Sequence, residues 1–113
     1  MRLYLPAAAI LLTSYLSAAP VINEVQSTNT SLPDPFGQLL DWVEIHNPTA
    51  APIDLSGYHL SDSSSNRTKF TLPSGTTLGA GQFLIVWCGQ TSEFPATGPY
   101  PANQLRATSF AIS

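Results

Sequence analysis

The sequence predicts an all-β domain built as an antiparallel sandwich, and three observations predict it. Apolar and polar residues alternate over short stretches, as from Asp41 to Asn47. Gly and Pro interrupt these stretches about every 8 to 12 residues. Beyond residue 20 no segment sustains the i, i+3, i+4, i+7 apolar repeat of an amphipathic helix. The composition agrees: of 113 residues 43% are apolar and only 10% charged, with ten prolines and seven glycines, which fits neither a disordered polyelectrolyte nor a helical bundle. This length suits a single domain, since domains run to roughly 100 to 200 residues.

The first 19 residues read as a signal peptide rather than as part of the domain. Met1 and Arg2 give a short basic start, Leu3 to Leu16 is an uncharged and mostly apolar run, and Ser17, Ala18 and Ala19 are small. The run is shorter than the roughly 20 residues needed to cross a bilayer as a helix, and Pro6 interrupts it, so no permanent membrane anchor is expected. Ser17 and Ala19 fit the small-x-small rule for cleavage before Pro20; a cut after Ala18 is the alternative, because proline is a poor first residue for the peptidase. Residues 20–113 are then the exported domain, and a secreted, periplasmic or cell-surface location is expected. The competing reading of the leader is a buried N-terminal core segment.

Val21 to Val25 reads as the first strand of the domain, followed by a polar loop from Gln26 that carries Pro33 and Pro35. In Asp41 to Asn47 the period of two points Val43 and Ile45 into the core and Trp42, Glu44 and His46 to a partly wet face. Asn47-Pro48 stops this strand, because proline lacks a ladder donor and restricts its predecessor. Ile53 to Leu55 is a brief apolar touch before Ser56-Gly57. Tyr58 to Leu60 is strand-sized and ends in the polar stretch Ser61 to Asn66. Lys69 to Leu72 alternates around Phe70 and Leu72 and stops at Pro73-Ser74-Gly75.

Gly79-Ala80-Gly81 then leads into Phe83 to Cys88, an unbroken apolar run that suggests a strand covered on both faces. Gln90 to Asn103 is a long loop with Pro95, Pro99 and Pro101. Leu105 to Ile112 reads as one last strand with Phe110 and Ile112 on one side. This spacing of short strands is the signature of an immunoglobulin-like sandwich. Val43, Ile45, Leu60, Phe70, Leu84, Val86 and Trp87 are the expected core, with Gly57 and Gly81 at turns.

Four pieces in this order resemble the lamin tail domain family: Val21 to Val25; Asp41 to Pro48 (DWVEIHNP); Asp54 to Asp62 (DLSGYHLSD); and Leu78 to Trp87 (LGAGQFLIVW). Leu105 to Thr108 also has a counterpart, so the resemblance spans residues 21 to 113. It implies an immunoglobulin-like β-sandwich with no catalytic residues to carry over. Family members occur in nuclear lamins and in secreted bacterial proteins, often beside nucleases or other surface domains. The family pattern continues past Ile112 with a Gly-containing turn and further strands. The resemblance therefore implies a sandwich incomplete at its C-terminal side, with an open edge that another chain or segment fills.

The residues that could carry chemistry each have a plainer reading. Trp42 and Trp87 could form an aromatic face for a sugar, but their places in the strands favour packing. Asp41, Glu44 and His46, with His59 and Asp62, include metal-ligating types, yet none has the spacing of a metal motif. Cys88 could be a nucleophile with His46 or His59 as its base; at the end of an apolar strand it is expected to be buried and inert. As the sole cysteine it can form no intramolecular disulfide, though an exported odd cysteine can pair with another chain. Asp62 to Asn66 has oxygens but only one carboxylate, so a turn is favoured over a calcium loop. Asn29 and Asn66 head N-glycosylation sequons that would carry glycans on loops in a eukaryotic host.

No Gly-x-Ser-x-Gly elbow, phosphate-binding loop or His-Glu-x-x-His occurs, so no enzyme, cofactor or metal is expected. With four Lys and Arg against seven Asp and Glu, the net charge is −3 and no basic cluster exists, so no nucleic-acid partner is expected either. The function expected is a secreted, non-catalytic interaction module that binds a protein or surface partner through loops or by strand addition at an open edge. The alternative is an accessory domain cut off from a larger secreted enzyme such as a nuclease.

Overall fold

The computed structural model describes residues 1–6, 19–90, 92 and 100–112, and every structural statement below concerns these. Ten strands make up the fold: β1 (Arg2–Tyr4), β2 (Val21–Gln26), β3 (Asp41–His46), β4 (Ile53–Asp54), β5 (His59–Ser61), β6 (Phe70–Thr71), β7 (Thr77–Leu78), β8 (Phe83–Gln90), β9 (Gln104–Ala107) and β10 (Ser109–Phe110). One layer is the sheet β2-β3-β8, whose far side carries β9 along Ile85 to Cys88 and β10 along Gly89 and Gln90. The other layer is made of β1-β5-β6 and the short pair β4-β7.

The core lies between the layers, where the period of two places it. From the larger sheet come Val43, Ile45, Leu84, Val86 and Cys88; from the opposite layer come Leu55, Leu60, Leu72 and Leu78. All are buried, and each aliphatic side chain contributes roughly 1.5 to 3 kcal/mol by leaving water. Phe70, expected inside, is partly buried against this cluster. Trp87, also expected inside, is buried on the opposite face of its sheet, in a second cluster with Leu40 and Trp42.

Asn47 ties the layers at one end. Its side chain is fully buried, and its Nδ2 donates to the carbonyls of Ala51, Leu78 and Gly79 at 2.8, 2.9 and 3.1 Å. Its Oδ1 accepts from the amide and hydroxyl of Thr49 at 2.9 and 2.7 Å. Its main chain bonds Gln82 and Gly81 across the turn, where Gly81 adopts φ +71°. The Asn-Pro step is therefore more than a stop signal: it holds the β3–β4 and β7–β8 connections together. Gly57, at φ +79°, is the other expected turn glycine in a conformation that Cβ-bearing residues disfavour.

Three expectations need correction. The sheets are not wholly antiparallel, because β9 runs parallel to β8. A parallel pair needs a long crossover, and the segment read as a loop from Gln90 to Asn103 supplies it, although residues 91 and 93–99 lie outside the described ones. The last strand is two: the chain turns at Thr108, so β9 and β10 meet β8 in opposite directions. The apolar run of β8 is covered on both faces only toward its end, where Trp87 is buried, whereas Ile85 is half-buried and Phe83 exposed.

Candidate functional site

The residues with the most chemistry in their side chains are dispersed. Cys88 sits opposite Asp41 at one end of β3, and His46 sits opposite Phe83 at the other. Five residues of strand separate the two ends, about 17 Å at the usual rise. His46 also points to the other face, where it stacks on Phe83 at 4.2 Å. His59 lies in the opposite layer, its Nδ1 sharing a hydrogen bond with Thr71 Oγ1 at 2.8 Å. Burial, aided by Asp41 and Asp62, pushes the Cys88 thiol up to about 12. A thiol of this kind is protonated at neutral pH, so the geometry brings no base to it and the surroundings do not activate it.

The acidic residues are engaged in structure. Asp41 accepts the amides of Thr28 and Ile112 at 2.9 and 3.1 Å, pinning two loops to the start of β3. Glu44 accepts from Asn23 Nδ2 at 2.7 Å, across a bulge in β2. Asp62 pairs with Lys69 at 2.7 Å, so the Asp62 to Asn66 loop already holds a cation of its own. The same loop is closed by Ser61 Oγ, which donates to Asn66 O, and by the Ser63 amide donating to Ser61 Oγ. Among the described residues no three His, Cys, Asp or Glu side chains converge.

Trp42 and Trp87 are 7% and 4% exposed, packed with Leu40 and flanked by Ile85 and Tyr100, so neither ring is open to a sugar. Trp87 Nε1 donates to Gln104 at 2.8 Å and so joins β8 to β9. Asp34 and Tyr100, which sequence reasoning passed over, close this end. The buried Asp34 carboxylate accepts the amides of Phe36 and Gln38 and the Tyr100 hydroxyl at 2.7 Å. Burial first, and then this bond, raises the Tyr100 phenol above its ordinary range. Asn29 is likewise structural. Its Nδ2, the atom a glycan would occupy, donates to Leu32 O and Leu40 O at 2.6 and 2.9 Å. The Asn29 sequon thus lies in the wall of the fold, while Asn66 is exposed.

What remains is the side of β5 that β1 covers, since β5 lies between β1 and β6. Arg2, Leu3 and Tyr4 pair antiparallel with Ser61, Leu60 and His59. Met1 and Leu3 pack against the core cluster that contains the fully buried Leu60, while Arg2 is exposed. Tyr4 lies under the Arg67 guanidinium, 5.4 Å from the ring centroid. At the end of the seat, Pro6 stands over Gly57, its Cγ only 3.3 Å from where a Cβ on Gly57 would be. A cleft of about 320 Å³ bounded by Met1, Arg2, Tyr4 and Ser61 to Ser64 opens where the segment enters. A second groove of about 430 Å³ runs from Pro73 to Leu78 on one side to Pro101 to Leu105 on the other, and brings together no charged groups. The segment that covers β5 is the start of the stretch whose composition reads as an export leader.

No helix among the described residues is long and apolar enough to cross a membrane. The family model for the lamin tail domain matches residues 13–111. No curated protein and no solved structure matches the chain.

Proposed function

The chain belongs to the lamin tail domain family, a family of non-catalytic immunoglobulin-like domains, and from that premise we propose that it is an exported interaction module which binds a protein partner by strand addition at the edge of β5. The observation that carries this reading is the identity of the strand now on that edge. That strand is Arg2–Tyr4, within the stretch that reads as an export leader, so hydrolysis of the chain after Ala18 or Ala19 would detach it. The backbone of His59–Ser61 then loses its ladder on one side, and Leu60 loses the cover of Met1 and Leu3. An uncovered strand edge over apolar residues is a template for another strand. Affinity then comes from main-chain bonds, which ask for no special side chains in the acceptor.

The test has two parts. Mass spectrometry of the exported chain should give an N-terminus at Ala19 or Pro20. A photoreactive phenylalanine at Arg67, exposed beside the Tyr4 position, should form a protein adduct in the envelope of the producing cell. The same group at Val25, exposed on β2, should not. A leader retained in the exported chain, or adducts independent of position, would overturn the proposal.

A further inference from the structure

We infer that loop 31–40 is a membrane-docking surface that dips Leu32, Phe36 and Leu39 into the interfacial layer of a zwitterionic lipid bilayer. The loop leads into β3 and so belongs to the layer opposite β5, apart from the edge where strand addition is proposed.

Apolar side chains crowd the outside of this short segment. Leu32, Phe36 and Leu39 are 47%, 39% and 53% exposed, Pro33 and Pro35 are exposed among them, and Gly37 turns the chain at φ +86°. From residue 25 to residue 40 the sole charged side chain is Asp34, and it is buried. An exposed apolar patch on a folded domain marks a contact with protein or with lipid. The main chain selects lipid. The amides of Ser31 and Leu32 donate to Asn29 Oδ1 at 3.2 and 3.0 Å, and those of Phe36 and Gln38 to Asp34 Oδ1 at 2.9 and 2.8 Å. The Asp34 amide donates to Gln38 O at 2.8 Å, and the Gly37 amide to Asp34 O at 3.0 Å. Residues 33 and 35 are prolines, so from residue 31 to residue 38 no main-chain N–H is left for a partner. Protein interfaces carry about one hydrogen bond per 100–200 Å², whereas lipid offers few and penalises any donor left unsatisfied. A loop whose donors are all satisfied from within suits lipid.

The same bonds fix the loop's shape before contact. Asn29 Nδ2 ties Leu32 O to Leu40 O, and Tyr100 backs Phe36 with ring centroids 5.3 Å apart while its hydroxyl donates to Asp34. Little ordering remains for docking to offset. Charge then selects the class of lipid. The chain carries a net −3, and the one basic group whose charge reaches Tyr100 at the loop's base is Arg106. Anionic membranes are recognised by clusters of roughly 4–8 Lys and Arg, which this surface does not supply. Three half-exposed side chains also bury less than a single myristoyl chain, whose hold alone is marginal, so docking is reversible.

The experiment uses the full chain with the environment-sensitive fluorophore NBD at Leu39→Cys; Cys88 is buried and its thiol protonated, so labelling falls on position 39. Phosphatidylcholine vesicles are titrated in to several millimolar lipid. Emission should rise and shift to the blue, while the same label at Ala80→Cys, exposed at the end of the sheet where His46 meets Phe83, should not respond. Leu32→Ser and Phe36→Ser should each weaken partitioning roughly three- to tenfold, about half the effect of a fully buried side chain. Phosphatidylglycerol in the vesicles, or added salt, should change little. The two serine variants are separate, so if one fails to melt cooperatively the other decides. No response at position 39, an equal response at position 80, or a response confined to anionic vesicles would overturn the inference. So would partitioning that survives both serine substitutions in a folded chain, as when the apolar residues 3–16 bring the chain to the vesicle. A rise with protein concentration in the absence of vesicles would do the same, because the loop would then be a contact between copies.

Discussion

Replacing Asn47 by Ala deletes the side chain that ties the β3–β4 and β7–β8 connections together at one end of the sandwich. The lost amide leaves the Leu78 carbonyl buried without its partner, and an orphaned buried acceptor costs about 1 to 3 kcal/mol. The bonds to Ala51 and Gly79 lie nearer the solvent, as do the two that Oδ1 accepts from Thr49, so water recovers part of their value. The sum is about 3 kcal/mol. In a domain of this size that lowers the thermal midpoint by about 12 to 24 °C. Asn47→Asp should be worse than Asn47→Ala, because it places a carboxylate against three carbonyl oxygens in a site with no exposure. Urea and thermal unfolding followed by circular dichroism measure both. An Asn47→Ala chain within about 0.5 kcal/mol of the parent, or Asp tolerated better than Ala, would refute the reasoning.

Leu55→Ala, at a fully buried position in the core between the layers, should cost about 2 to 5 kcal/mol in a urea titration. Gly81→Ala should cost about 1 to 2 kcal/mol in the same assay; a methyl there meets no neighbour, so the loss comes from the positive φ alone. The raised thiol of Cys88 predicts a pH dependence. The folded state keeps its proton up to about 12 and the unfolded chain ionises from the ordinary value of 9.0, so stability is complete below pH 9 and is lost as pH rises toward 12. Tyr58 and Tyr100, also raised by burial, add to the same slope from about pH 10. Cys88→Ala should therefore flatten the fall in thermal midpoint between pH 9 and 10 specifically; an unchanged slope there would contradict the assignment to the thiol.

Much of this fold is legible in local sequence because local rules decide it. Alternation at Val43 and Ile45 places β3, and the Gly-bounded apolar run places β8. The Ser-Gly and Gly-Ala-Gly steps mark turns where Gly57 and Gly81 do adopt positive φ. What local rules do not decide is where a strand finds its partner. Leu105 to Ile112 reads as one strand because nothing in its composition marks a break, yet Thr108 turns the chain and β8 receives β9 and β10 in opposite senses. β7 is only Thr77–Leu78, too short to alternate visibly. Asn47, Asn29 and Asp34 look like loop residues because polarity alone does not reveal burial. Each is buried because its side chain satisfies main-chain groups that the loops leave unpaired. Candidate sites suffered from the same limit. Glu44 and His46 do share a face as the period requires, but the third ligand a metal needs is a matter of tertiary approach.

The β5 edge could not be read from the sequence for a different reason. Residues 1–6 are too short a stretch to show alternation of their own; their pairing with β5 is a tertiary contact in which the apolar Met1 and Leu3 pack on the cluster that holds Leu60.

Amide hydrogen exchange at His59–Ser61, resolved by NMR before and after residues 1–6 are cut away, tests strand addition at β5 most directly. Amides of β5 that face β1 should exchange at least about tenfold faster in the cut chain and slow again when the peptide of residues 1–6 is added, while those that face β6 stay unchanged. Identical exchange in cut and uncut chains would contradict the proposal, because residues 1–6 would then cover nothing that a partner could use.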